Sequence, residues 1–342
     1  MSVSPDLAAN MRDRLIENFL QAHDWHKAER TPLAGDASFR RYIRLTRENE
    51  ARAMLMDAPP PQEDVRPFLA IADHLSGLGL SAPRILARDE AAGLLLLEDL
   101  GDATYTRLLA DGSNETALYR LATDTLIALH RRFRRGTEIP PYDEARLLDE
   151  VALLVDWFLP ALRGADIPPE LRDEYLELWR EVLPVAQRVP DSLVLRDYHV
   201  DNLLWLPNRA DVAACGLLDF QDAVIGPVTY DLVSLFEDAR RDVPQDMAQG
   251  LIAYYLDAFP DIDRAVFQAS YAVMGAQRSA KIIGIFTRLD RRDGKPVYLH
   301  HIPRVFRWLW GGLEHPALCR LRAWFEREIP KADRIAPPCV GR

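Results

Sequence analysis

The sequence predicts an α+β fold of two lobes: a small β-rich N-terminal lobe and a larger, mainly helical C-terminal lobe. Three observations carry this expectation. Over the first hundred residues, short apolar runs of strand length alternate with turns rich in Gly, Pro and Asp. From residue 115 onward, apolar residues recur mainly at helical spacing, interrupted by strand-like runs between 192 and 222. At 342 residues the chain exceeds a typical single domain and can bury two cores. The expected boundaries are 1–100 for the first lobe with a leading helix, 101–330 for the second, and 331–342 for a frayed tail containing prolines.

Taken in order, residues 5–22 place Leu7, Met11, Leu15, Phe19 and Leu20 at helical spacing behind a Ser4-Pro5 start signal. A turn led by Gly35 (GDASFRRY) follows, then apolar positions at Phe39, Tyr42, Ile43 and Leu45, which read as a strand pair with a tight connection. Residues 51–56 form the next strand, ended by Pro59, Pro60 and Pro61. A helix from Glu63 or Asp64 to Leu75 turns Val65, Phe68, Leu69, Ala72 and Leu75 inward. Two more strands, 83–87 and 93–98, complete the small lobe. Helices are then expected at 115–132, at 147–159 closed by Pro160, at 170–189 closed by Pro190, and at 244–259, 263–286 and 303–311. His130, within the apolar run LIALH, reads as a packed structural histidine.

Composition excludes several function classes. A net charge of −10 disfavours nucleic acid as a partner. No apolar run approaches the roughly 20 residues of a membrane span, and the N-terminus has early acids and a helical period rather than a secretory signal. Three cysteines (Cys215, Cys319, Cys339) have no metal spacing and suit a cytoplasmic protein, with a monomer as the default. The charge is uneven: residues 278–342 hold fourteen Lys/Arg against six Asp/Glu. That stretch is either a set of solvated helices or a basic wall facing an anionic substrate.

The chemistry concentrates in residues 192–222, SLVLRDYHVDNLLWLPNRADVAACGLLDFQD. A polar turn with Arg196, Asp197, His199, Asp201 and Asn202 precedes two short apolar runs joined at 207–211, and the second run stops at Asp219. Antiparallel pairing of those runs should return Asp219 to the loop that carries Asp197 and Asn202. Two carboxylates and an amide oxygen are hard ligands that suit magnesium, which takes one or two protein carboxylates and leaves the rest to water and phosphate. Asp-x4-Asn followed by an Asp at a strand end is the catalytic-loop spacing of protein kinases.

RDYHVDN…LLDFQDAVIGPVTYDL resembles the catalytic motif of the aminoglycoside phosphotransferase and choline-kinase superfamily. The wording DFQDAVIGPVTYDLVSL is similar to the bacterial anomeric kinases of N-acetylmuramate and N-acetylglucosamine, and the likeness runs from LAGDASFRRY to RDGKPVYLHHIPR. The resemblance implies a protein-kinase-like two-lobed fold and an ATP- and Mg2+-dependent transfer to a sugar C1 hydroxyl, in peptidoglycan recycling towards UDP-N-acetylmuramate. It implies Asp197 as the base or orienter of the sugar hydroxyl, and Asn202 and Asp219 on the metal. Gly35, Asp36, Ala37, Ser38, Arg40 and Arg41 would cover the phosphates, while backbone groups of Glu98 and Leu100 would bind adenine at the hinge. His199 and Asp222 are candidates for the sugar, and Asp231 for a brace that accepts backbone N–H bonds from the catalytic loop. Two departures stand out: the third strand, RAMLMD, lacks the usual phosphate-binding lysine, and Leu195 occupies a position more often His. Arg40, Arg41 and Arg52 are the nearest basic replacements for the lysine.

Within the helix at 263–286, Arg278 and Lys281 lie one turn apart. A guanidinium can grip a carboxylate with two parallel bonds, so Arg278, supported by Lys281, is the candidate for the lactyl carboxylate that distinguishes N-acetylmuramate. Two alternatives remain at this stage. A kinase of another small-molecule hydroxyl, as in an aminoglycoside or amino alcohol, is disfavoured by the basic tail. A catalytically silent module is suggested by the missing lysine and opposed by the retention of Asp197, Asn202 and Asp219.

Overall fold

A computed structural model describes residues 5–33, 39–135 and 139–339, with side chains described from residue 11. The chain divides into two compact units, Met1–Asp111 with Asp201–Asp222, and Gly112–Val200 with Ala223–Arg342.

The first unit is built on a five-stranded antiparallel sheet. Its elements are α1 (Pro5–Ala22), β1 (Glu29–Pro32), β2 (Arg41–Thr46), β3 (Arg52–Asp57), α2 (Arg66–Gly77), β4 (Ile85–Asp89), β5 (Leu94–Glu98) and α3 (Tyr105–Ala110), with the sheet in the order β1-β2-β3-β5-β4. Ile16, Phe19 and Leu20 of α1 pack on Leu45, Ala53, Leu55, Leu94 and Leu96. Leu95 and Leu97 alternate to the other face and are also buried, which is why β5 reads as an unbroken apolar run. Each buried leucine contributes about 2 kcal/mol. Asp57, fully buried at the end of β3, ties helix to sheet by pairing with both Arg12 (2.6 Å) and Arg41.

The second unit comprises α4 (Glu115–Arg132), α5 (Glu144–Leu153), α6 (Leu159–Arg163), α7 (Pro169–Ala186), β6 (Asp191–Val194), β9 (Val224–Pro227), α8 (Thr229–Phe236), α9 (Gln245–Asp257), α10 (Arg264–Asp293), α11 (Ile302–Leu313) and α12 (Cys319–Glu328). The hairpin strands β7 (Leu203–Trp205) and β8 (Cys215–Leu217) belong to the first unit. α10 is the axis of the helical unit and packs against α5, α7, α8 and α11. It lies especially close to the C-terminal end of α5, where a Cβ on Gly284 would stand 2.3 Å from the Leu153 carbonyl carbon.

Several expectations need correction. Pro160 does not close its helix: a π-helical stretch, Leu154–Phe158, separates α5 from α6, and Pro160 sits near the start of α6, where the missing N–H costs little. α10 runs seven residues past 286, to Asp293, and ends at Gly294 in the left-handed conformation. The division between units falls after Asp111 rather than at 100, because the backbone of Ala103 and Thr104 pairs with β7 and holds α3 to the first unit. Residues 331–339 are docked rather than frayed: Arg334 stacks 3.2 Å over the Trp310 ring, Arg291 donates to the Pro338 carbonyl at 2.6 Å, and Ala336 and Cys339 touch the core. The basic stretch is no free wall either. Arg304 and Arg307 share Asp242, Arg320 meets Glu181, Arg322 meets Glu326, and Arg327 meets Glu174 and Glu328.

Candidate active site

The loop carrying Asp197 follows β6, which pairs with β9 in the register Leu193↔Ile225 and Val194↔Val224. At Arg196 the backbone turns into the left-handed region (φ 70°), a conformation that a non-glycine residue keeps only when its surroundings enforce it. The enforcing group is Asp231 on α8, whose carboxylate accepts from the N–H of Leu195 (2.6 Å) and of Arg196 (2.9 Å). Burial pushes the Asp231 carboxyl up to about 7, opposed by those two bonds and by the charge of Arg278. This is the expected brace, and it works without a histidine at Leu195.

A second brace holds the Arg196 side chain. Its guanidinium pairs with Glu150 of α5, and the same carboxylate meets Lys281 Nζ at 3.0 Å, accepts from Gln277 Nε2 at 2.9 Å and accepts from the Tyr142 hydroxyl. Burial alone would raise the Glu150 carboxyl, but Lys281 and Arg196 overcome it and hold it below the ordinary value. Lys281 also reaches the Tyr230 hydroxyl (3.4 Å). Its ammonium therefore serves the loop, which corrects the expectation that it supports Arg278 on a sugar carboxylate. Nothing in the sequence links Glu150, Arg196 and Lys281, which are scattered over 131 positions.

Arg278 itself is 95% enclosed on α10, where its charge acts on Asp231, Glu237 and Tyr271. Burial pushes the Glu237 carboxyl up to about 8, against a hydrogen bond from Tyr271 and the charge of Arg278. An acid held above its unfolded value contributes stability that is complete at low pH and is lost as pH rises through the folded value. Thermal stability should therefore fall as pH rises from about 4.5 to about 8, and Glu237→Gln should flatten that arm. An equal slope in melting scans of both proteins would contradict the assignment.

His199 is buried, with Nε2 3.5 Å from Arg240 Nη1. His130 is packed as expected, bonded to the Tyr255 hydroxyl at 2.6 Å, with burial lowering its pKa to about 3.

In the first unit, β7 and β8 pair in the register Leu203↔Leu217, and Leu218 N–H closes the hairpin on the Asn202 carbonyl (3.0 Å). The strands thus place the Asn202 amide 3.5 Å from Asp219 Oδ2, as the 17-residue offset requires. Asp219 is exposed and left-handed (φ 56°), and Gln221 Nε2 bonds it at 2.9 Å and Asp222 at 3.3 Å. Among the described residues no three His, Cys, Asp or Glu side chains form a metal cluster. One carboxylate and one amide oxygen fit magnesium, which demands few protein ligands, and do not fit zinc. Asp197 lies in the second unit, and Val200 and Asp201 join that loop directly to this hairpin.

At the expected hinge, Glu98 N–H donates to the Arg84 carbonyl (2.8 Å) and its carboxylate pairs with Arg209 and Arg84. Gly35, Asp36, Ala37 and Ser38 lie outside the described residues. Arg41 is held by Asp57, and Arg40 pairs with Glu63 at 3.1 Å. No described helix is long and apolar enough to cross a membrane.

The sequence profile of the Phosphotransferase enzyme family matches residues 29–267. An N-acetylmuramate/N-acetylglucosamine kinase of Caulobacter vibrioides is 37% identical over 92% of this chain and 96% of its own, and one of Pseudomonas aeruginosa is 40% identical over 87% and 88%. Among solved structures, the choline kinase LicA of Streptococcus pneumoniae superposes with a TM-score of 0.61 at 12% identity, covering 89% of this chain and 99% of that one. An ADP-bound aminoglycoside phosphotransferase, APH(2'')-Ib, does so at 0.59 and 15%, over 86% and 96%. The small antiparallel sheet unit and the larger helical unit are thus the kinase-like fold. With a braced Asp197 loop, an Asn202–Asp219 hairpin and a profile match over most of its length, the chain belongs to the phosphotransferase enzyme family.

Proposed function

We propose that the chain is an ATP- and magnesium-dependent sugar 1-kinase that phosphorylates the anomeric hydroxyl of N-acetylmuramate or N-acetylglucosamine in cytoplasmic cell-wall recycling. The observation that carries this reading is the double bracing of the Asp197 loop, by Asp231 and by Glu150 through Arg196, in a chain whose relatives over nearly the full length are named kinases of these sugars.

Asp197 accepts a hydrogen bond from the sugar C1 hydroxyl and aims its oxygen at the γ-phosphorus of ATP. The new P–O bond forms as the bond to the bridging oxygen breaks, ADP leaves with that electron pair, and the hydroxyl proton passes late to Asp197. Because the transition state is loose, alignment outweighs basicity, which is why rigid bracing of the loop matters. Asn202 and Asp219 are the residues that would hold magnesium. The ion, when bound, offsets charge on the phosphate oxygens. The Glu98 carbonyl and Leu100 would meet adenine, and His199 and Asp222 the sugar. A panel of acceptors with ATP and magnesium, read as ADP release, tests the reading. Both amino sugars should turn over, and choline and an aminoglycoside should not; faster turnover of either of the latter would reject it.

Arg278 is the proposed partner of the lactyl carboxylate, supported by its enclosure beside Asp231, the residue that sets the Asp197 loop. Arg278→Ala should raise KM for N-acetylmuramate about tenfold or more, the scale of a charge-assisted bond, with N-acetylglucosamine nearly unchanged. Equal losses on both sugars would assign Arg278 to the fold.

A further inference from the structure

β3 reads Arg52–Asp57 without a lysine, so the cation that meets the nucleotide phosphates must come from elsewhere. Two arginines of β2 are committed to carboxylates. Arg41 is locked with Arg12 on the fully buried Asp57. Arg44 pairs with Asp99 at 2.6 Å and Asp102 at 2.9 Å. Arg52 opens β3 opposite Thr46, whereas Arg41 stands opposite Asp57 at the other end of the β2–β3 ladder.

Arg40 differs from all three in its surroundings. It immediately precedes β2 at that Asp57 end, and its side chain is only 15% exposed. Glu63 grips it from the turn before α2: one carboxylate oxygen pairs with Arg40 Nε at 3.1 Å, and the other accepts from the Phe39 N–H at 3.0 Å. Arg40 also hydrogen-bonds the Tyr42 hydroxyl, and Asp219 bears electrostatically on that same hydroxyl. Arg40 is thus a fixed, enclosed cation, linked through the Tyr42 hydroxyl to the surroundings of the proposed metal ligand. In protein kinases the phosphate-binding lysine is held by an acidic side chain of a neighbouring helix. Glu63 stands in the same relation to Arg40, on different elements.

We propose that Arg40, positioned by Glu63, binds the phosphates of the nucleotide in place of the absent β3 lysine. The proposal rests on the ATP-dependent reading given above. A guanidinium there can offer parallel donors to two phosphate oxygens, where a lysine offers a point charge.

The test is calorimetric titration of wild type, Arg40→Ala, Arg40→Lys, Arg41→Ala and Glu63→Gln with ATP, ADP and adenosine in the presence of magnesium, after thermal melts confirm folding. Arg40→Ala should weaken ATP and ADP about tenfold or more and leave adenosine within twofold, as loss of a charge-assisted bond requires. Arg40→Lys should recover part of the loss, and Arg41→Ala should bind ATP within threefold of wild type. Glu63→Gln should weaken ATP in the wild-type background and have no further effect in Arg40→Ala. ATP binding by Arg40→Ala within twofold of wild type would overturn the proposal, as would an equal loss for adenosine. A wild-type protein that binds none of the three would instead overturn the ATP-dependent reading on which it rests.

Discussion

Asp197→Asn is expected to lower kcat by about a hundredfold or more while leaving Mg-ATP affinity within about threefold of wild type. The substitution keeps the shape of the side chain and removes its negative charge and its capacity to take a proton. The loop should survive the change, because its conformation is set elsewhere: the two backbone N–H bonds to Asp231 and the Arg196–Glu150 pair involve no atom of the Asp197 side chain. A loss in kcat without a loss in nucleotide affinity then isolates alignment and proton acceptance from folding. Turnover within threefold of wild type would remove Asp197 from the reaction.

Asp219→Ala is expected to abolish measurable Mg-ATP turnover and to weaken magnesium-dependent ATP binding by about tenfold or more, since one carboxylate carries most of the protein's hold on the ion. Asn202→Ala should act in the same direction and more mildly, because an amide oxygen carries no net charge. The hairpin register that sets the two residues together comes from backbone pairing of β7 and β8, so neither truncation should unfold it. Calorimetry with and without magnesium checks this. If Asp219→Ala binds Mg-ATP as tightly as wild type, the ion is held by other residues.

What was legible in the sequence was what is local. The Asp197–Asn202 spacing and the return of Asp219 after two short strands follow from turn and strand signals, the bracing Asp231 follows from the family resemblance of the same stretch, and the structure has each of them. What was not legible depends on side chains that meet across the fold. Lys281 looked like a helix-face cation, yet Glu150, 131 positions earlier, had no signal marking it as a partner. The basic C-terminal stretch left solvated helices and a basic wall both open, because the acids that pair with it, Asp242, Glu181 and Glu174, come from other elements. The tail looked frayed because it has prolines and few apolar residues, and nothing local marks the contact of Arg334 with Trp310. The continued helix past Pro160 needed a π-helical stretch, which periodicity cannot anticipate.

The central claim is transfer of the ATP γ-phosphoryl group to a sugar C1 oxygen, and phosphorus and carbon NMR on one reaction mixture test it most directly. With N-acetylmuramate or N-acetylglucosamine carrying carbon-13 at C1, incubated with ATP and magnesium, the labelled C1 resonance should shift and split by coupling to a new phosphorus. Phosphate appearing on C6, with C1 unsplit, would contradict the account, and so would release of inorganic phosphate with the sugar unchanged.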